Sequence, residues 1–435
     1  MKIATIGVGY VGLVTSAVFA DLGNDVISVN RDKQKCENLK KGIIPMYESD
    51  LADLVSRNVK LGRLKFTTDY AEAVPNADII FIAVGTPSLA DGSADLSQVK
   101  EAAATIAPLL ENYTVVATKS TVPVGTNRIV GEILSAGKKS NATFDLASVP
   151  EFLREGSAVK DTMHPDRTVI GADAERSREM LIKLHKPLKA PFVLTTIESA
   201  EMLKYTANSF LAMKISFANA IAEICEKVGA DVTDVMDGIG MDKRIGRAFL
   251  YPGPGYGGSC FPKDVKALIA IAKKAGIDFH LLHAVEDINA GQIDRILDKI
   301  KIMVGPLKGK TIAVLGLTFK ANTDDVRASQ PIEVIKRLLK LGASVRAYDP
   351  IAVPNAKKKM LASLDEKKFI YAENTVDALK DADVAVIITE WDEFVRLDFS
   401  QAEKVMRQRN VVDVRNLFDP EKVKAVGFRY VGMGR

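Results

Sequence analysis

Short, uniformly apolar runs alternate with stretches of helical periodicity at both ends of the chain, and the middle lacks the short runs. Lys2 to Gly7 is the first run; it passes through glycine-rich sequence into a helical pattern, Val11 to Leu22, that Gly23 ends. Further strands are predicted at Asp25 to Val29, at Ala77 to Ala83 leading into Val84, and at Tyr113 to Thr118. From about residue 310 the rhythm begins again, with strands at Lys310 to Gly316, Ser344 to Tyr348, Ala382 to Thr389 and Asn410 to Val414, and a helix from Ile332 to Leu341. Uniformly apolar strands alternating with helices describe parallel sheets covered on both faces. The middle is dominated by one long helical pattern, Glu198 to Val228, closed by Gly229. The predicted class is therefore α/β: two doubly wound parallel-sheet domains, 1–197 and 305–435, joined by a central helical region, 198–304.

At 435 residues the chain is too long for one core, because single cores stop growing near roughly 250–300 residues. Its 47% hydrophobic and 26% charged content and mean hydropathy of +0.06 are those of an ordinary globular protein. Lys plus Arg number 59 against 55 for Asp plus Glu, and the signs are mixed throughout, so no basic stripe points to nucleic acid. No apolar run approaches the roughly 18 residues of a membrane span, and the first strand begins without a signal-peptide pattern. A cytoplasmic protein is expected. Cys36, Cys225 and Cys260 lie far apart and the four histidines do not cluster, so neither a disulfide framework nor structural zinc is expected.

Gly7-Val8-Gly9-Tyr10-Val11-Gly12 matches GxGxxG between a predicted strand and helix, where glycines permit a tight turn and helix N–H groups face a pyrophosphate. The first domain reads as a Rossmann-like dinucleotide site. At the end of the second strand, where Asp or Glu usually accepts hydrogen bonds from the ribose of NAD, stand Asn30 and Arg31. Asn removes the charge that would repel a 2′-phosphate and Arg31 offers a guanidinium to meet it, so the choice between NADP and NAD leans to NADP.

Pro252-Gly253-Pro254-Gly255-Tyr256-Gly257-Gly258-Ser259-Cys260 precedes a helical pattern beginning near Pro262. A thiol just before a helix N-terminus is biased towards thiolate, and Lys263 can add to the effect. Cys36 and Cys225 lie inside helical patterns and read as core. Lys204 and Asn208 are four apart on the long helix and emerge on one face, with Glu201 beside them; a solvated polar stripe is the alternative. Glu151 and Glu155 share the same spacing and the same alternative.

Together with Val84-Gly85-Thr86-Pro87, Lys119-Ser120-Thr121-Val122-Pro123 and Pro150 to Gly156, these motifs span essentially the whole chain, which resembles the UDP-glucose/GDP-mannose dehydrogenase family. The resemblance implies four-electron oxidation of a nucleotide-sugar primary alcohol to the acid through aldehyde, thiohemiacetal and thioester. Cys260 would be the nucleophile, Lys204 and Asn208 the oxyanion donors, Glu151 the residue serving thioester hydrolysis, and Thr118 and Asp264 the residues that hold or activate water. Cofactor contacts are expected from Gly7, Gly9, Tyr10, Val11, Gly12, Asn30, Arg31, Lys35, Gly85, Thr86, Pro87, Ser120, Thr121, Glu155 and Arg327. Substrate contacts are expected from Glu151, Phe152, Leu153, Lys204, Asn208, Phe249, Leu250, Tyr256, Gly257, Phe319, Lys320 and Arg415, and from Arg244 across a subunit boundary. Gly316-Leu317-Thr318-Phe319-Lys320 lacks the glycines for a second dinucleotide, and the resemblance makes the last domain the nucleotide-sugar half. Ser259 departs from the GGHC of N-acetylated-sugar dehydrogenases, which makes UDP-glucose the expected substrate and GDP-mannose, UDP-galactose or a UDP-N-acetylhexosamine the alternatives. No metal is expected, Asp324 and Asp325 having no companion ligands. The family's middle helix implies a homodimer or higher homo-oligomer, for which Phe210, Leu211, Phe217 and Ile221 supply apolar surface. A two-electron oxidoreductase needing no Cys260, or a non-catalytic nucleotide-sugar sensor, are the competing readings.

Overall fold

The computed structural model describes residues 1–360 and 368–435 and divides them into two compact units, one of 1–207 with 266–275 and the other of 208–265 with 276–435. The first holds strands β1 (Lys2–Ile6), β2 (Asp25–Val29), β3 (Leu64–Thr67), β4 (Ile79–Ile82), β5 (Thr114–Thr118), β6 (Phe144–Ser148), β7 (Thr168–Ala172) and β8 (Phe192–Thr195), in the sheet order β3-β2-β1-β4-β5-β6-β7-β8. The second holds β9 (Thr311–Leu315), β10 (Ser344–Tyr348), β11 (Phe369–Tyr371), β12 (Val384–Ile387), β13 (Asn410–Asp413) and β14 (Arg429–Gly432), in the order β11-β10-β9-β12-β13-β14. Six strands of each sheet thus follow the order 3-2-1-4-5-6, with the reversal beside the first strand of each that creates a ligand crevice at the strands' carboxyl ends.

The strands read as apolar runs because both faces are covered. Along β4, Ile79 and Phe81 enter one buried cluster with Leu13, Val14 and Val18 of the helix Tyr10–Asp21, while Ile80 and Ile82 enter another with Val99, Ile106 and Val130. In the second unit Ile312 and Val314 pack with Val334, Ile335 and Leu338, and Ala313 and Leu315 with Leu379, Trp391 and Phe394. Each such aliphatic side chain removed from water contributes roughly 1.5–3 kcal/mol before chain entropy is set against it.

The expectation of a wholly parallel first sheet is corrected in one place: β7 runs antiparallel to β6. β3, β6, β7, β8, β11 and β14, of three to five residues each, lie outside the strands that the sequence pattern predicts. The long helix spans Ile197–Val228, and among the described residues no strand lies between Thr195 and Thr311. Cys36 and Cys225 are buried in helices, as their patterns implied.

Under the first sheet His185 is buried edge-on to Phe19, with ring centroids 5.1 Å apart. Its Nδ1 meets the Leu181 carbonyl at 2.8 Å and its Nε2 has no partner, so the ring is neutral, and burial holds its pKa down at about 3 from an ordinary 6.5. The folded ring resists a proton that the unfolded chain accepts, so this contribution to stability is complete above the ordinary value and is lost as pH falls from there towards 3. His185→Phe keeps the aromatic packing without the titration. Its melting temperature is expected to fall less than that of the unaltered protein between about pH 7 and about pH 4. Parallel declines in thermal scans at each pH would reject this account.

Candidate active site

The turn after β1 is built by backbone contacts no other residue permits. Gly7 has φ +105°, and a Cβ there would lie 2.4 Å from the Ala83 carbonyl oxygen; one on Gly12 would lie 2.0 Å from the Gly7 carbonyl oxygen. Gly9 differs. It is exposed, has φ −69°, and a Cβ built on it meets no protein atom within 4 Å. Gly9 also heads the helix Tyr10–Asp21 with no side chain capping it, which leaves N–H groups and the positive end of the helix dipole facing an open cradle. These residues fit the pyrophosphate of a dinucleotide. Around the cradle, Ser120 donates to the Val84 carbonyl at 2.7 Å and Thr86 to the Thr121 carbonyl at 2.8 Å, stitching the ends of β4 and β5 together, while Gly85 and Pro87 stay exposed. Asn30 donates its backbone N–H to Thr67, and Arg31, largely exposed, stands 3.4 Å from Glu101; Lys35 is half-buried in the next helix.

Glu151 and Glu155, spaced as on a helix, instead lie in an irregular loop, where Glu155 is buried and Glu151 partly so. The carboxylate of Glu48 holds this loop, accepting from the N–H groups of Gly156 and Ala158 at 2.7 Å and from the Tyr10 hydroxyl. Burial and the Glu48 charge raise the Tyr10 phenol well above its ordinary pKa. Glu151 pairs with Lys204 at 3.3 Å, both side chains less than a tenth exposed. Lys204 also lies 5.1 Å from the ring of Phe152, whose other partner is Arg167. Lys119, buried nearby, donates to the Val149 carbonyl at 3.2 Å; burial drives its pKa down to about 8, with Glu151 opposing and Lys204 adding to the shift. The long helix is therefore not solvated at Glu201, Lys204 and Asn208, which are 2%, 4% and 5% exposed.

In the second unit Cys260 accepts the first hydrogen bond of the helix Phe261–Lys274 through its carbonyl, from Asp264 N–H at 3.0 Å, which puts its thiol at the helix head. Asp264 is 1% exposed, accepts from the Asn208 amide at 2.6 Å and also engages Lys263. Lys263, expected to favour the thiolate, pairs with Asp264. The Gly-rich loop is held from outside: Asn219 accepts from Gly253 N–H, Asn289 from Tyr256 N–H, and Gln330 donates to the Tyr256 carbonyl. A Cβ on Gly257 would stand 2.4 Å from the Ala328 carbonyl oxygen, and one on Gly258 2.8 Å from the ring of Phe319. Arg415, mostly buried, donates to the Phe319 and Ile388 carbonyls and pairs with Glu390 at 3.0 Å. Leu250 and Tyr256 are buried, and Phe249 adopts a positive φ of 66°. The Lys320 ammonium lies 5.8 Å from the Phe319 ring centroid. Arg244 points outward against Asp242, and Arg327 is paired with Asp325 at 2.8 Å.

The turn after β9 cannot take the part of its counterpart after β1. Asp349, at the end of β10 and 2% exposed, turns inward and accepts from the N–H groups of Leu317 and Thr318, the donors a pyrophosphate would need. A Cβ on Gly316 would meet Thr389 Oγ1 at 2.0 Å. Among the described residues no group of His, Cys, Asp and Glu is arranged for a metal.

Sequence reasoning passed over Glu48, Asn127, Asn219 and Asn289, since lone Asn and Glu residues carry no spacing signal; their partners are remote in sequence.

A dinucleotide cradle on a doubly wound sheet, with a second sheet of the same order whose cradle is closed, marks a dinucleotide-binding protein in which the second sheet has another task. The chain belongs to the UDP-glucose/GDP-mannose dehydrogenase family: models of its NAD binding, central and UDP binding domains match residues 1–189, 198–291 and 313–420. It is 49% identical to the UDP-glucose 6-dehydrogenase TuaD of Bacillus subtilis, covering 100% of this chain and 93% of that one. It is 48% identical to a UDP-glucose 6-dehydrogenase of Rhizobium meliloti, covering all of both. Among solved structures, a UDP-glucose dehydrogenase from Pyrobaculum islandicum is 37% identical with a TM-score of 0.92, covering 100% of this chain and 97% of that one. A UDP-D-ManNAc dehydrogenase from Pyrococcus horikoshii is 27% identical with a TM-score of 0.87, covering 100% and 99%.

Gly9→Ala should fold normally, because its Cβ meets only open space, and should raise the KM for the dinucleotide about tenfold or more. Gly12→Ala should instead lower the melting temperature. Thermal scans and cofactor titrations of both variants check the contrast; an unchanged KM in Gly9→Ala would remove the ligand from the cradle.

Proposed function

We propose that the protein oxidises UDP-glucose to UDP-glucuronate in two hydride transfers and a hydrolysis. The observation that carries this reading is the match of the whole chain, at 49% and 48% identity, to UDP-glucose 6-dehydrogenases. A nicotinamide held at the Gly7–Gly12 turn supplies the acceptor for both hydrides. Cys260, at a helix head, adds to the C6 aldehyde, keeps it from leaving and provides the tetrahedral centre from which the second hydride departs. Lys204 and Asn208, buried one turn apart on one helix, serve as donors to the developing alkoxide. Glu151 takes the proton of the water that releases the thioester, and Thr118 and Asp264 hold that water. Overall, UDP-glucose, two oxidised nicotinamides and one water give UDP-glucuronate, two reduced nicotinamides and three protons.

We assign the sugar nucleotide to the second unit, where Arg415 and Lys320 flank Phe319. The remaining cofactor and substrate contacts are those the family resemblance implies, in the three-part division at residues 198 and 305. For the ribose end we place NADP ahead of NAD. Asn30 carries no charge to repel a 2′-phosphate, and the Arg31–Glu101 pair, exposed on both sides, is worth at most about 1 kcal/mol, little hindrance to a phosphate. Three cysteines outside any disulfide fit a reducing compartment such as the cytoplasm, and no helix among the described residues is long and apolar enough to cross a membrane. Phe210, Phe217 and Ile224, seven apart and exposed on the long helix, fit a second copy of the chain; Leu211 and Ile221 are half-buried.

The expected stoichiometry is two moles of reduced nicotinamide per mole of UDP-glucose, abolished in Cys260→Ala. One mole, surviving that substitution, would mean a two-electron enzyme, and no reduction with any nucleotide sugar would point to a sensor. Run with each dinucleotide, the assay should give the lower KM for NADP. Asn30→Asp with Arg31→Ile should reverse the order, and an unchanged preference would overturn the NADP assignment.

A further inference from the structure

The head of the cradle helix and the loop of Glu151 and Glu155 are joined by a side chain that belongs to neither. Tyr10, the first residue of the helix Tyr10–Asp21 and the neighbour of Gly9, donates its hydroxyl proton to the carboxylate of Glu48. The same Glu48 oxygen accepts from Gly156 N–H at 2.7 Å, and its other oxygen accepts from Ala158 N–H at 2.7 Å. Gly156 N–H also stands 3.2 Å from the Tyr10 hydroxyl oxygen. Glu48 is 7% exposed and gathers these partners across 38, 108 and 110 residues of chain, all within the first unit.

Polarity makes this junction specific to a carboxylate. The Tyr10 hydroxyl has one proton and two acceptors in reach, Glu48 and the Tyr47 carbonyl at 3.2 Å, and the charged acceptor makes the stronger bond. Three donors thus converge on the two oxygens of Glu48, where an amide would present one oxygen and an NH2. Glu155 precedes Gly156 directly, so fixing the Gly156 N–H fixes the backbone from which the Glu155 side chain springs. Its charge is felt at the helix head: burial and then Glu48 raise the Tyr10 phenol above its ordinary pKa, and Glu155 adds to the shift. The bonds of Arg154 and Ser157 to Asp161 are local by comparison and travel with the loop.

We infer that Glu48 is a positioning residue for dinucleotide binding: through Tyr10 and the Gly156 and Ala158 N–H groups it holds Glu155 beside the helix head that faces the cofactor. This rests on the reading that Glu155 contacts the dinucleotide. Glu48 itself is shut away behind Tyr10 and the loop. Its part is to order the loop before the ligand arrives, so that the Glu155 contact is made without an ordering cost set against it.

The test is a double-mutant cycle read by binding alone, with NADPH and NADH each titrated into the full-length protein and followed by nicotinamide fluorescence. Glu48→Gln sets an NH2 among donors and is expected to raise the Kd for the dinucleotide about tenfold. Glu155→Ala is expected to raise it at least as much. The double variant is expected to bind as Glu155→Ala does, because Glu48 then has no contact left to position. A merely structural lesion at Glu48 would multiply the two effects, to about a hundredfold in all, and would overturn the inference. If Glu155→Ala weakens binding and Glu48→Gln leaves the Kd unchanged, the positioning role fails while Glu155 keeps its ligand. If Glu155→Ala leaves the Kd unchanged, the assignment of Glu155 to the cofactor fails and the inference falls with it. Should Glu48→Gln not fold, Tyr10→Phe removes the hydroxyl and leaves Glu48 its two N–H donors. Paired with Glu155→Ala it is expected to show the same lack of additivity, and independent effects would reject the role given to the junction.

Discussion

An ion taken out of water must be given its solvation back by the protein, and the long helix meets that requirement at Glu201 and Lys204. Glu201, Lys204 and Asn208 are all but closed to solvent, on a stretch whose residue types would ordinarily face water. Each is compensated differently: Glu201 by three N–H donors, Lys204 by Glu151, and Asn208 by the Asp264 carboxylate. Removing either member of the Lys204–Glu151 pair would leave the other charged and buried, a loss of about 3–5 kcal/mol rather than the small net worth of the pair. The loop around Glu151, the turn around Gly125 and the helix head at Asp264 are thereby held to the positions these charges demand.

Fixed hydrogen-bond partners serve the loops in the same way. Asn219, Asn289 and Gln330 give the Pro- and Gly-rich loop before Cys260 the hydrogen bonds its own composition cannot supply. Glu48 does this for the loop of Glu151 and Glu155. A loop pinned at its backbone carries side chains with little conformational entropy left to lose, which is the condition for positioned catalysis.

Two sheets of one strand order have diverged at a single turn. After β1, space beyond Gly9 is open and the helix head is uncapped; after β9, Asp349 occupies the equivalent donors and Thr389 fills the room at Gly316. One half can cradle a pyrophosphate and the other has satisfied that need internally. Fold alone would have assigned both halves the same ligand.

Much of this was legible along the chain because its signals are local. The strands β1, β2, β4, β5, β9, β10, β12 and β13, the long helix, the GxGxxG turn and the helix-head thiol depend on residues within a few positions of one another. β3, β6, β7, β8, β11 and β14 were not, and the reversal of β7 is a matter of pairing rather than pattern. Whether Glu201, Lys204 and Asn208 faced water could be decided only by partners brought from 53 to 76 residues away, and whether Glu151 stood on a helix only by the path of a loop. The sequence by itself determined periodicity, glycine geometry and the inventory of reactive groups, which are properties of neighbours in the chain; burial and hydrogen-bond polarity belong to neighbours in space, and only the tertiary structure chose those.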